Sequence, residues 1–375
     1  MLLSRVANAL YWMSRYIERA ENIARFIDVN TQLTLDRSTG GGTQWLPLVS
    51  ITGDEALFRD RYGEATQANV MRFLTLDREH PNSVVSCIAA ARENARTVRD
   101  AITSEMWKQI NQLHLMVQRV ADSGFVGDRP NDFYGQLKNG TLLFAGITNA
   151  TMSRSMAWDF CRLGRMIERA DKTSRILDVK YFLLLPRPED VGTALDAVQW
   201  AALLRSVGGL EMYRRHHGAI TPAAVAAFLM LDDEFPRSLL HCLRRGETSL
   251  CRIAGGDPQG ANRSLVRSLG RLRAELEFVD IHEILGAGLH DYLDGFQDRL
   301  NAVDDAMHAA LFHRFMTDRD TPETSDPHDR RGPTRDGDHA SGSTQNQAQS
   351  PSQSQSAGEF ASHASSTTPG KEVGP

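Results

Sequence analysis

Long apolar runs are missing from this 375-residue chain. No window approaches the roughly 18 uncharged apolar residues that a helix needs to cross a bilayer, so no membrane partner is expected. Cysteine is scarce, with Cys87, Cys161, Cys242 and Cys251 the full set. No two of them form C-x-x-C, which excludes a zinc pair and a thioredoxin-type redox motif. Each lies among apolar or small helical neighbours, predicting buried thiols and a reducing, cytoplasmic setting. Positive charge is not in excess either: 42 Lys and Arg against 47 Asp and Glu leave a net charge of −5. Such a chain has no global basic field to draw in nucleic acid. The row Arg263, Arg267, Arg271 is followed by Glu275, Glu277 and Asp280, which would repel phosphates. No nucleic-acid partner is expected.

Alternating β-branched runs are absent too, and nearly every segment up to about residue 316 has helical period. About a dozen helices are predicted, several opening near Pro81, Pro222 and Pro236, because proline suits a first helical turn. The short apolar stretch Val6–Met13 is broken by Asn8 and runs into a charged amphipathic segment. It reads as part of a helix rather than a secretory signal. Gly40-Gly41-Gly42 reads as a flexible linker. From Thr317 to Pro375 Asp, Pro, Gly, Ser and Gln dominate, which predicts a disordered tail with solvated histidines at 328, 339 and 363.

What the chain does have is an internal duplication. Val6–Asn30 set against Met156–Lys180, a shift of 150, gives nine identities in 25 positions. Phe73–Ile88 against Phe228–Leu243, a shift of 155, gives eight in 16 and reads F-L-x-L-D-x-E-x-P-x-S-x-x-x-C in both. Two matching blocks in one order predict a helical unit present twice, about 1–150 and 151–316, inside an all-α domain of residues 1–316. The two units are expected to pack about a pseudo-twofold axis, with the tail, 317–375, outside the domain.

Charged positions recur in both units: Arg15, Glu18, Arg19, Arg25 and Asp28 match Arg165, Glu168, Arg169, Arg175 and Asp178. On the first helix Trp12, Tyr16, Ala20, Ile23 and Ile27 form the expected buried stripe, with Glu18, Glu21, Arg25 and Asp28 on a neighbouring face. Asp171 stands where Glu21 does. Pairs such as Arg15–Glu18 and Glu21–Arg25, if exposed, would stabilise by only about 0.3–0.5 kcal/mol. Retention in both units therefore points indoors. Two readings stay open: a charge network joining the units, or a polar site binding phosphate or carboxylate.

A second cluster, Arg92, Arg96 and Arg99, falls on one helical face, and its counterparts are Glu247, Cys251 and Ala254. It is either solvated and internally paired or an anion site, with Glu105, Trp107 and Asn111 as candidate neighbours. Catalytic signatures are wanting. There is no G-x-x-x-x-G-K-[ST], no H-E-x-x-H and no pair of E-x-x-H motifs. Asp77-x-x-His80 imitates a ligand pair, but Asp232-x-x-Phe235 replaces it in the other unit. Asp305-x-x-His308 reads as surface, and the adjacent His216 and His217 point to different faces. No metal and no cofactor are expected, and no catalytic residue is identified.

At Tyr16-Ile17-Glu18-Arg19-Ala20-Glu21-Asn22 and Met166-Ile167-Glu168-Arg169-Ala170-Asp171 the chain resembles the alpha-E family, a bacterial all-helical domain named for its Glu-Arg motif. The resemblance extends over about residues 1–316, including Leu2–Ala7, the Arg92–Arg99 run and Gly288-Leu289-His290-Asp291-Tyr292-Leu293. It implies neighbourhood with, or fusion to, a circularly permuted ATP-grasp protein, often with a transglutaminase-like protein nearby. The expected function is an accessory or recognition subunit of an ATP-grasp-linked peptide synthesis or modification system. It would bind an ATP-grasp-type protein and an anionic peptide, carboxylate or phosphate ligand. The alternative is a ligase- or transferase-like enzyme with Glu18 or Glu168 as general base.

Overall fold

A computed structural model describes residues 2–35, 45–124, 130–183, 194–255 and 262–312. The Gly40–Gly42 linker and the 317–375 tail lie outside the described residues. All described residues belong to one compact unit, Met1–Pro322, and among them no strand occurs. Fifteen α-helices and a short π-helical turn, His308–Phe312, make up the fold. The count exceeds a dozen because three pieces (Leu46–Thr52, Leu210–His216 and Ile281–Ala287) are two turns long.

Two long helices form the axis: α1 (Ser4–Leu35) and α8 (Met156–Leu183), which pack along each other. Around α1 stand α5 (Val84–Thr97) and α7 (Pro130–Thr151), with α6 (Ser104–Ser123) laid across both. Around α8 stand α12 (Leu239–Ile253) and α15 (Leu289–Met307), with α13 (Arg263–Phe278) laid across both. Two shorter helices cross over: α2 (Leu46–Thr52) packs on α8, and α9 (Ala194–Ser206) packs on α1. The turns that release them end on Gly53 (φ +79°) and Gly208 (φ +68°), left-handed positions where a side chain is strained. Beneath these turns lie guanidinium atoms of Arg175 and Arg25, so close that a β-carbon would stand 3.6 and 3.2 Å away.

The axis helices correct the expected single stripe. Leu10, Tyr11, Met13, Ala20, Ile23, Ala24 and Ile27 are all 2% exposed or less and together span most of the circumference of α1. Trp12 and Tyr16, assigned to the stripe, are only half-buried. A helix surrounded by others buries every face, so the charges on α1 go indoors with it. At the crossing Gly164 touches Tyr11, and a β-carbon there would meet the Tyr11 carbonyl oxygen at 2.3 Å.

The second repeated block is a turn followed by a cap. Asp77 Oδ1 accepts from the Glu79 and His80 amides, and Asp232 Oδ1 from those of Glu234 and Phe235. Ser83 and Ser238 then accept from the amides of Ser86 and His241, capping α5 and α12; such a cap stabilises by about 1 kcal/mol. Pro81 and Pro236 thus precede the cap rather than occupy the first helical position, whereas Pro222 does open its helix, Pro222–Leu231. His80, of the Asp77-x-x-His80 pair, stacks on Phe73 at 4.0 Å, as Phe235 stacks on Phe228 at 4.5 Å. His308 is not a surface group, since its ring packs 5.6 Å from Trp12 and 5.0 Å from Phe312.

Gly164→Ala should therefore force the axis helices apart and destabilise by about 1–3 kcal/mol. Gly146→Ala, on an exposed stretch of α7 with nothing near its β-position, should be neutral or stabilising by up to about 1 kcal/mol. Thermal melts of the two variants side by side provide the measurement.

Candidate functional site

The Glu-Arg motifs of α1 and α8 meet across the axis and exchange partners. Glu18 receives Arg169 through two bonds, Nε to Oε1 and Nη2 to Oε2, both 2.8 Å. Glu168 receives Arg19 in the same bidentate way, at 2.6 and 2.9 Å. The carboxylates are 3% and 0% exposed. Planar forks of this type satisfy both oxygens at once, which is how a buried carboxylate stays ionised.

Each carboxylate has further guests, and here the two sides differ. Arg15 Nε reaches Glu168 at 2.9 Å, and Lys172 Nζ lies 3.7 Å from it. Arg15 also bonds Asp304 of α15, whose other oxygen takes the Tyr11 hydroxyl. Glu18 instead receives Arg237 Nη1 at 2.9 Å. Arg237 bonds Glu21 and Asn22 as well, and Glu21 accepts from Arg25 Nε at 2.8 Å. Arg165, matched to Arg15, makes no comparable bond: its buried Nε has no acceptor. Between Arg165, Glu18, Glu21 and Thr148 lies a cavity of about 20 Å³, enough for one water.

Burial pushes Glu18 up, but Arg169 first and Arg237 next outweigh it and hold the carboxyl down at about 2. Glu168 is likewise buried, yet Arg19, Lys172 and Arg15 hold it well below the ordinary carboxylate range. Arg165 is pushed down by burial and by its neighbour Arg169. Both motif carboxylates are therefore very weak bases. Cys87 and Cys242, which end the two matched sequence segments, are pushed up to about 12 by burial; their thiols sit under the Pro81–Asn82 and Pro236 carbonyls.

The remaining motif positions stay near the axis. Asp28 takes Lys138 of α7, and Asp178 pairs with His290 Nδ1 of α15 at 2.6 Å. Arg175 bonds Asp171 at 2.9 Å, as Arg25 bonds Glu21. Arg15 does not pair with Glu18 along the helix as expected, because Glu168 and Asp304 claim it. Sequence reasoning missed Arg237, Asn82, Tyr11, Asp304, Lys138 and Lys172. Asn82 and Arg237 held a readable signal: they occupy the variable position after the matched prolines, and Arg19 reaches Asn82 at 2.5 Å.

The arginine run is less regular than its spacing implies. The helix ends at Thr97, so Arg99 lies in the following turn and not on the face of Arg92 and Arg96. Arg92 bonds Asn111 Oδ1 at 2.8 Å and Glu93 at 3.1 Å, and Arg96 bonds Glu93 at 2.8 Å. Arg92 and Arg99 stand 5.6 and 4.9 Å from the Trp107 ring. Trp107 and Asn111 do join the cluster; exposed Glu105 bonds Ser104. Among the described residues no group of three or more His, Cys, Asp or Glu is placed to hold a metal, and no helix is long and apolar enough to cross a membrane.

Among known families one matches residues 2–312, the Alpha-E model, described as a predicted alpha-helical domain with a conserved ER motif. Uncharacterized proteins of Mycobacterium bovis and of two Mycobacterium tuberculosis strains are each 26% identical over 329 residues. The match takes in 80% of this chain but only 36% of theirs, so the chain spans about a third of the relatives' length. No solved structure matches.

Glu168→Gln leaves buried Arg19 without a counter-charge and Arg15 with Asp304 alone, and should destabilise by about 3–5 kcal/mol at neutral pH, read by urea unfolding. Acid should act on the same groups. Glu18 binds its proton less readily folded than unfolded, so its contribution is complete above pH 4.5, the ordinary Glu value. That contribution is lost as pH falls from 4.5 toward 2, and unfolding midpoints measured across that window should drop steeply. In Glu18→Gln, which starts less stable, the drop should be shallower.

Proposed function

This chain belongs to the Alpha-E family, and from that premise we propose that it works as a non-catalytic recognition subunit of an ATP-grasp-linked peptide synthesis or modification system. The observation that carries the reading is the exchange of Glu18 and Glu168 for Arg169 and Arg19. Carboxylates held that far below neutral, each already accepting three hydrogen bonds from guanidinium groups, lack the basicity that a general base needs. The same observation disfavours the ligase- or transferase-like alternative.

In this reading the two matched segments form one rigid frame about a pseudo-twofold axis, and recognition takes place on its outside. Arg92 and Arg99, half-spread over Trp107, present guanidinium edges to an anionic peptide, carboxylate or phosphate, while Arg96 adds charge beside them. A cytoplasmic setting suits the free, high-pKa thiols. The curated relatives support a component role in one respect: their matched stretch is a minor part of a longer polypeptide.

Purified chain mixed with a circularly permuted ATP-grasp protein from the same organism should co-elute on size exclusion, and Arg92→Ala with Arg99→Ala should weaken that association without changing the circular dichroism. The chain alone, given ATP and peptide, should show no turnover. Turnover by the isolated chain that disappears in a folded Glu18→Gln variant would overturn the reading.

A further inference from the structure

The start of α8 meets the outer face of α12 in a group of arginines that the reading above does not use. Trp158 is 6% exposed, and the guanidinium carbons of Arg154 and Arg162 stand 4.3 and 4.4 Å from its ring. Arg162 Nε donates to Ser249 Oγ at 2.6 Å. Arg252 Nη2 donates to the Arg154 carbonyl at 2.6 Å, and its Nε lies 3.2 Å from Asp159 Oδ2. Arg245 shares the α12 stripe with Ser249 and Arg252, four and seven residues on. It lines an open cleft of about 720 Å³ together with His241 and Thr248.

The charges do not balance. Among the described residues Asp159 is the carboxylate that pairs with the group: it lies 3.2 Å from Arg252 Nε and 3.7 Å from Arg162 Nη2, and it already accepts from Ser249 Oγ at 3.1 Å. Of the acids that line the cleft, Asp233 holds Arg244 and Glu247 holds Arg273 at 2.9 Å, which leaves exposed Glu234 beside Arg245. Burial, and then Arg245, Arg252 and Arg154, push Arg162 down against the pull of Asp159. Two donors in the group, Arg162 Nη2 and Trp158 Nε1, are buried and make no hydrogen bond.

Packing common to the two matched segments does not require these residues. The same shifts of 150 and 155 put Ser4, Asn8 and Trp12 at the places of Arg154, Trp158 and Arg162, and Ala90 and Thr97 at those of Arg245 and Arg252. Unbalanced, clustered guanidinium groups repel unless an anion sits among them.

We propose that Arg154 and Arg162, held against Trp158, form with Arg252 and Arg245 on the neighbouring stripe of α12 a binding site for a phosphate-class oxyanion. Several forked donors converging on one place suit a centre with three or four acceptor oxygens better than a carboxylate with two. The site is independent of the Arg92–Arg99 cluster and of any ATP-grasp partner.

Titrating the full chain with pyrophosphate by calorimetry tests this directly. Saturable one-to-one binding is expected, weakened by salt, with a change in Trp158 emission that a Trp158→Phe variant lacks. Arg245→Ala and Arg252→Ala, both at exposed positions, should each weaken binding about tenfold with unaltered circular dichroism. Arg92→Ala should leave it unchanged. The proposal is overturned by absence of saturation, by wild-type affinity in Arg245→Ala and Arg252→Ala, by loss of binding in Arg92→Ala, or by succinate binding as tightly as pyrophosphate.

Discussion

Charge buried on a helix packed among others is costly unless it is paired, and α1 and α8 are both largely enclosed. Glu18 and Glu168 lie at their crossing, so each must find its cation on the other helix. Arg169 and Arg19 meet that demand with two-pronged bonds, which fix separation and rotation as well as charge. The other elements are arranged around this exchange. Ser83 and Ser238 cap helices whose preceding turns bring Asn82 and Arg237 against the motif, and Asp304 ties α15 to it through Arg15. Such pairs contribute less to net stability than to specificity, because desolvation cancels much of the attraction. Their effect here is to leave one permitted docking of two otherwise greasy helices.

The all-helical character of the fold could be read beforehand from period, since helical spacing is a local property. The indoor location of Glu18 and Glu168 was legible for another reason: charges at matched places in two segments are costly to keep without mates. What escaped was set by tertiary neighbours. No spacing rule connects Arg15 to Asp304, 289 residues away, or Asp28 to Lys138. The expected stripe holds at Ala20, Ile23 and Ile27 but not at Trp12 and Tyr16, because a one-sided template was laid on a helix that buries most of its circumference. Arg99 failed for a local reason, the end of α5 at Thr97, which the alanine- and arginine-rich run does not announce.

The departures from matching are as telling as the matches. Asn82 against Arg237 changes the charge beside the motif, and Arg15 bonds where Arg165 does not. The second side is left with four cations, Arg25, Arg165, Arg169 and Arg237, about two acids, Glu18 and Glu21. Arg237 is itself pushed down by burial, and Arg169 adds to that against the pull of Glu21 and Glu18. The frame is thus tight on the Glu168 side and looser on the Glu18 side, where the water-sized cavity sits.

Burial of the thiols has an experimental use. Cys87, Cys161 and Cys242 are all under 4% exposed and burial pushes their thiols up to about 12, 11 and 12, so they should resist alkylating reagents in the native protein. They lie on α5, α8 and α12, spread along the interior from one matched segment to the other. Alkylation rates followed by mass spectrometry would therefore time the opening of each region without any label being engineered in. Equal rates would mean that the whole interior opens in a single cooperative event.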